Sequence, residues 1–255
     1  MSTLVLEKVS KQFGGLQAVS DLSMEVAPGH ITGLIGPNGA GKTTVVNLIT
    51  GVYRLSSGSV RFGDIDLTEA PRHVVARAGV ARTFQTIRLL PDASVLDNIM
   101  IGMYRHQKSS LLSQLLHLTS SRAETKACLD RAHGLLQRFG MERYAAFPAG
   151  TLSYGDQRRV EMMRALASEP RLLLLDEPVA GMNDVEAQKL GEIFLELARS
   201  GMAVLLIEHN IGFVSRMCEH ILVLDSGRRI AQGTPAQILN NPEVIEAYLG
   251  SDFHA

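Results

Sequence analysis

The chain has 255 residues, with 25 Lys+Arg against 26 Asp+Glu, a formal charge of -1, 45% hydrophobic residues and no Trp. That balance describes a folded protein able to bury a core without disulfide or metal staples, and excludes a disordered or fibrous chain. It lacks the basic excess of a free-standing nucleic-acid binder but leaves local phosphate binding open, which backbone N–H groups and one lysine can supply.

The opening residues Met1–Lys8 lack the basic start and apolar stretch of a secretory signal. No window reaches the roughly 18 to 20 apolar residues of a membrane span, so the expectation is a cytosolic chain. Leu4–Val9, Leu22–Val26 and Ile31–Ile35 read as strands, with Ser59–Phe62 and Val80–Phe84 as shorter ones. From about Arg88 to Ser168 the helical period dominates, as in Val95, Ile99, Met103 and in Leu129, Ala132, Leu136, Phe139. Inside that region Gln107–Ser121 is polar and dotted with leucines, and reads as a surface loop-helix excursion. Leu172–Leu175 and Ala203–Ile207 are apolar throughout, as strands covered on both faces are. A polar helix near Asp184–Arg199 separates them, and Ile221–Leu224 and Arg229–Ala231 continue the series. Strand and helix in alternation imply an α/β fold with a parallel sheet. The expected layout is a core of residues 1–87 and 169–255 with a helical insertion at 88–168. Cys128 and Cys218 have no partner at metal-ligand spacing and read as reduced, buried thiols.

Gly36-Pro37-Asn38-Gly39-Ala40-Gly41-Lys42-Thr43 matches G-x-x-x-x-G-K-[ST]. A strand leads in and Thr43–Ile49 has helical spacing leading out, the context that a phosphate-binding loop requires. Successive N–H groups around Gly39 and Gly41 would form an anion nest, reinforced by the helix dipole. Lys42 can reach the β- and γ-phosphates, and Thr43 offers a hydroxyl to Mg²⁺. The apolar run Leu172–Leu175 ends in Asp176 and Glu177, the first suited to a metal beside the phosphates and the second to polarising a water. Gln85 and His209 each follow an apolar run, where open α/β sheets collect their ligands. Leu152-Ser153-Tyr154-Gly155-Asp156 precedes a helical pattern and offers a second phosphate-type helix start. The basic pair Arg158-Arg159 sits early in that helix, against its dipole.

With these elements in this order, the sequence resembles the ATP-binding cassette proteins over essentially the whole chain. The resemblance assigns the P-loop to Gly36–Thr43, the Q-loop to Gln85, the signature to Leu152–Asp156 and the Walker B strand to Leu172–Asp176. It makes Glu177 the catalytic glutamate, Ala180-Gly181-Met182-Asn183 the D-loop and His209 the switch histidine. It implies a RecA-like P-loop NTPase core, a small antiparallel β lobe and a helical insertion lobe. It also implies ATP and Mg²⁺ as ligands, with two cassettes closing head to tail over two nucleotides. Phe13 matches the aromatic that stacks on adenine. Asn38, Gly39, Ala40, Gly41, Lys42, Thr43 and Thr44 would hold the phosphates. Ser153 and Gly155 would reach the partner's nucleotide. The metal would fall to Thr43, Gln85 and Asp176, and catalysis to Glu177, His209 and Gln85.

Where the signature usually reads Leu-Ser-Gly-Gly-Gln, this chain has Tyr154 and Asp156, while Asn183 and Asn210 stand where Asp is common. Phe13-Gly14-Gly15-Leu16, Arg82-Thr83-Phe84-Gln85, the 105–121 excursion and the ending Ala247-Tyr248-Leu249-Gly250 resemble the ATPases of branched-chain amino-acid importers. Such an ATPase works with a second cassette, two transmembrane permease subunits and, indirectly, a periplasmic binding protein, at the cytoplasmic face of the inner membrane. No nucleic-acid partner is expected. The lipopolysaccharide-export ATPase is similar at the C-terminus but lacks the excursion. A non-transport cassette ATPase would bring a second cassette, a long coiled coil or a basic surface. A scaffold that does not hydrolyse would have no need of Glu177 and His209.

Overall fold

A computed structural model describes residues 2–83, 86–103 and 119–251. Gln85 and most of the 105–121 excursion therefore lie outside the described residues. The chain divides into two compact units, one of residues 1–82, 171–178 and 194–255, the other of 83–170 and 179–193.

The first unit contains two sheets. In the antiparallel one, β1 (Leu4–Phe13) and β2 (Leu16–Val26) form a long hairpin, joined on the other side of β1 by β4 (Ser57–Phe62) and then β5 (Ile65–Asp66). The hairpin runs further than its apolar pattern predicts, because Lys11, Gln12 and Phe13 still pair with Val19, Gln17 and Leu16. Register shifts after Leu6 and Val9, with Lys8 at φ 46° and Asp21 at φ 52°, break the two-residue alternation by which a strand is recognised in sequence.

The second sheet has the order β10-β9-β3-β8-β7-β6. Its members are β3 (Ile31–Ile35), β6 (Val80–Arg82), β7 (Leu172–Asp176), β8 (Ala203–Ile207), β9 (His220–Asp225) and β10 (Arg228–Gly233). All neighbours run parallel except the β9–β10 hairpin. Every residue of β3, β7 and β8 is buried, which is why their sequences carry no alternation. A single apolar cluster joins Leu4, Leu6 and Phe62 of the antiparallel sheet to Leu34, Leu174 and Leu205 of the parallel one. Each such leucine contributes about 1.5–3 kcal/mol by burial. The consequence for function is directional: the parallel strands end on one edge, so the residues after β3, β7 and β8 share it.

The first unit carries α1 (Lys42–Ile49) and α2 (Arg72–Arg77). In the second, α3 (Val95–Ile101) is capped by Ser94, whose Oγ accepts from the Asp97 N–H at 3.0 Å. α4 (Thr119–Arg138) and α5 (Tyr154–Ala167) follow in that unit, and α6 (Asp184–Arg199) begins there. α7 (Ile211–Met217), α8 (Pro235–Leu239) and α9 (Pro242–Ser251) return to the first unit. Asn98 of α3 is fully buried, its Oδ1 accepting from the Leu90 N–H and its Nδ2 donating to the Leu90 and Ser94 carbonyls.

Just past α3, Gly102 lies so close to α5 that a Cβ would sit 2.1 Å from the Arg164 carbonyl oxygen. Gly102→Ala should therefore lower the unfolding free energy by about 1–3 kcal/mol, read from the urea midpoint, because backbone cannot yield as a side chain does. A midpoint equal to wild type would show that the two helices are not held this closely.

Candidate functional site

The loop from Gly36 to Gly41 takes the one route that lets its backbone face a ligand. Gly36, Gly39 and Gly41 have φ of 149°, 81° and 101°, values that side chains disfavour. A Cβ on Gly36 would fall 2.0 Å from the Leu224 carbonyl oxygen, and one on Gly41 2.6 Å from that of Ala18. At Gly39 a Cβ would meet nothing within 4 Å, so only the backbone angle selects glycine there. Gly41 is the N-cap of α1 and gives no side-chain cap, which leaves the first N–H groups of the helix to an anion. Asn38, Gly39 and Thr43 are exposed, Thr44 is partly so and Ala40 is buried.

Lys42 is only 8% exposed. Its Nζ donates to the Gly36 carbonyl at 2.6 Å and the Pro37 carbonyl at 2.9 Å. Burial holds its pKa below the ordinary lysine value, while the charges of Glu177 and Asp176 pull the other way. Those acids stand at the end of β7. Asp176 is 4% exposed, and its Oδ2 accepts from Arg82 Nη2 at 2.8 Å. Arg82 Nη1 in turn donates to Asn47 Oδ1 of α1 at 2.6 Å. Glu177 adopts φ 48°, a left-handed conformation that costs a non-glycine residue about 1–2 kcal/mol, and its N–H donates to the Ile207 carbonyl of β8. The Glu177 carboxylate lies 3.7 Å from Nδ1 of His209, whose side chain is 62% exposed.

Phe13 ends β1 with 41% exposure, in edge contact with Tyr53 at 5.1 Å between centroids and with Lys11 Nζ over its ring. From α9 the Tyr248 hydroxyl reaches the backbone of Gly36. Burial pushes that hydroxyl up to about 12, and the Gly36 backbone opposes the shift. The first unit thus holds Phe13, the phosphate loop, Asp176, Glu177 and His209, whereas Ser153 and Gly155 belong to the second.

In the second unit, Ser153 is the N-cap of α5. Its Oγ accepts from the Asp156 N–H at 3.2 Å and donates to Asp156 Oδ2 at 2.8 Å. The unusual Asp156 therefore completes a cap, with Arg159 3.5 Å away to offset its charge. Arg158, which opposes the dipole as a surface residue would, is instead 1% exposed and bonded to Glu161 at 3.2 Å. Asn183 Oδ1 accepts from the Glu186 N–H while Glu186 Oε2 accepts from the Asn183 N–H, and Asn210 Oδ1 accepts from Phe213 N–H. At both positions asparagine does the capping that aspartate would do.

Three residues around the site are brought there by contacts that their own segments do not encode. Arg82 and Asp176 are 94 positions apart, and only the pairing of β6 with β7 brings them together. Tyr53 and Tyr248 likewise reach the site through tertiary packing. A charged residue closing a short apolar strand is the one sign by which Arg82 was legible.

Among the described residues no three His, Cys, Asp or Glu side chains cluster where a metal could be held. The Thr43 hydroxyl and the Asp176 carboxylate suit a magnesium ion whose other oxygens come from phosphates and water, as this ion prefers. They do not suit a protein-only cage.

Strand, glycine loop and helix in this order define a P-loop nucleotide-binding protein with a RecA-like core. The model of the ABC transporter family matches residues 19–180, and that of the branched-chain amino acid ATP-binding cassette transporter matches residues 228–254. The chain belongs to the ABC transporter family, whose cassettes bind and hydrolyse ATP. It is 43% identical over 240 residues, 94% of each chain, to the high-affinity branched-chain amino acid transport ATP-binding protein LivG of Escherichia coli K12. It is 35% identical over 253 residues, 99% of each chain, to the lipopolysaccharide export system ATP-binding protein LptB of the same strain. The crystal structure of the ADP conformation of an ABC transporter cassette superposes with a TM-score of 0.84 at 32% identity, covering 98% of this chain and 99% of that one.

The depressed pKa of Lys42 makes a signed prediction. Folding disfavours its ammonium form, so the penalty is full below the folded-state pKa and vanishes as pH rises to the ordinary value of 10.5. The stability of wild type relative to Lys42→Met should therefore increase with pH across that window, in urea titrations without nucleotide. A flat or falling difference would contradict burial as the dominant cause.

Proposed function

We propose that the chain is the ATP-hydrolysing subunit of an importer of branched-chain amino acids or related small polar solutes. In this reading it is peripheral to a membrane, where a separate permease provides the path. The observation that carries the ATPase reading is the carboxylate of Glu177, placed directly after Asp176 on the shared strand edge and 3.7 Å from His209. Support for the substrate class is the match of residues 228–254 and the higher identity to LivG than to LptB. Among the described residues no helix is long and apolar enough to cross a membrane, which agrees with a permease made of other chains.

The roles follow from position. The loop N–H groups and Lys42 hold the β- and γ-phosphates, and Phe13 with its neighbour Tyr53 offers an aromatic face to the base. When bound, Mg²⁺ would neutralise charge on the phosphate oxygens. Thr43 and Asp176 would be its protein ligands, with Gln85 as a further candidate. Glu177 orients and deprotonates the attacking water, and His209 steadies the γ-phosphate. Two cassettes close head to tail, so that Ser153 and Gly155 meet the nucleotide on the partner's loop. Closure of that interface then drives the permease through alternating access, coupled through Gln85 and the helical unit.

Glu177→Gln, assembled with its permease, should bind ATP within about threefold of wild type and hydrolyse it at least about 100-fold more slowly. Wild-type turnover from this variant would remove Glu177 from the base role. Vesicles carrying the wild-type complex should take up leucine in an ATP-dependent way; ATPase activity stimulated by a lipid export substrate instead would overturn the importer reading.

A further inference from the structure

Tyr154 stands where the usual signature pattern has a glycine, and its surroundings show what the larger residue does. It is the first residue of α5, and its hydroxyl accepts from Arg158 Nη2 at 3.0 Å, with the Arg158 guanidinium 5.4 Å from the ring centroid. Arg158 is itself fixed: 1% exposed and paired at 3.2 Å with Glu161, which is 2% exposed. So one end of the tyrosine is tied to a buried ion pair. The other end of the contact is the turn at Gly181. This residue has φ 74°, and a Cβ on it would lie 3.2 Å from Cδ1 and 3.3 Å from Cε1 of Tyr154. The ring therefore lies against Gly181, close enough that a Cβ there would press on it, while the φ of this residue itself favours glycine. Next in line, Gly155 faces Met182 Cγ at 3.8 Å from its own virtual Cβ.

The division of the chain agrees with that contact. Residues 179–193 belong to the unit of α5, although the chain enters them directly from 171–178 of the other unit. In the sequence only Pro178 separates Glu177 from the start of this turn. We infer that Tyr154 is a positioning residue: braced by the buried Arg158–Glu161 pair, its ring holds the Val179–Asn183 turn against α5, the segment that the chain enters one residue after Glu177. Signature and turn then move as one body within a protomer. A glycine at 154 could not supply that connection. The bearing of this contact on hydrolysis rests on the ATPase function proposed above, but the contact itself does not.

The test uses the full chain without nucleotide, then the assembled ATPase. In Tyr154→Gly, amide hydrogen exchange over 179–184 should quicken at least about fivefold, while peptides of the 36–43 loop stay within about twofold of wild type. Tyr154→Phe, which keeps the ring beside Gly181 but gives up the hydroxyl bond to Arg158, should quicken that exchange by less than half as much as Tyr154→Gly, and guards against a general folding defect. Unchanged exchange at 179–184 in the glycine variant, or equal quickening at 36–43, overturns the contact. Gly181→Ala should speed exchange in the wild-type background and do so less when combined with Tyr154→Gly, because only the strained φ then remains; equal effects in both backgrounds count against the ring resting there. In steady-state assays Tyr154→Gly should lower kcat about fivefold with KM for ATP within twofold, since the phosphate loop is untouched. An unchanged kcat overturns the positioning role. If the wild-type chain hydrolyses no ATP at all, the ATPase reading falls while the exchange and double-variant results still decide the contact.

Discussion

A triphosphate carries more negative charge than one lysine offsets, and the remainder must be met by backbone N–H groups already pointing at it. Much of this structure follows from building such a loop rigidly. Gly36 is pressed on the carbonyl of Leu224 in β9, and Gly41 on that of Ala18 in β2, so both sheets of the first unit brace the cradle. The Gly227 N–H donates to the Ala40 carbonyl, and the Ser20 N–H donates to the Gly227 carbonyl. The loop is thus framed by residues far from it in sequence, and α9 adds Tyr248 at Gly36. Burying Lys42 in this frame costs stability by desolvation, and its two hydrogen bonds to loop carbonyls offset part of that cost.

The acids opposite the loop obey the same logic. Asp176 lies in the interior at the end of a wholly buried strand, where an unpaired carboxylate would be expensive. Arg82 satisfies it and reaches on to Asn47 in α1, so the metal-side carboxylate and the helix after the phosphate loop share one cation. Breaking a buried pair of this kind generally costs about 3–5 kcal/mol. Glu177 is held otherwise, by a backbone bond to β8 and a left-handed turn, with its carboxylate 3.7 Å from His209 Nδ1.

The departures from the usual signature read differently once their neighbours are known. From the sequence, Asp156 looks like a charge set against a phosphate site and Arg158 like a residue opposing its own helix. In the fold, Asp156 closes the cap of Ser153 and Arg158 is buried under Tyr154. Asn183 and Asn210 keep capping geometry after losing the carboxylate. The caps follow a three-residue spacing that the sequence carries, but the burial of Arg158 does not, because it depends on which side the helix turns inward.

Local order was legible wherever one short segment carries its own physics. The apolar runs of β3, β7 and β8 announce fully covered parallel strands, and the glycine loop with its lysine announces a phosphate cradle, since spacing alone fixes which N–H groups can converge. The bulged hairpin of β1 and β2 was less legible, because its irregularities erase the alternation by which strands are read. Strand order, and with it the meeting of Arg82, Asp176 and Asn47, came only from the tertiary structure. So did the edge contact of Tyr53 with Phe13 and the contact of Tyr154 with Gly181. Sequence determines what each segment can do by itself; contacts between residues tens of positions apart are decided by packing, which no local pattern encodes.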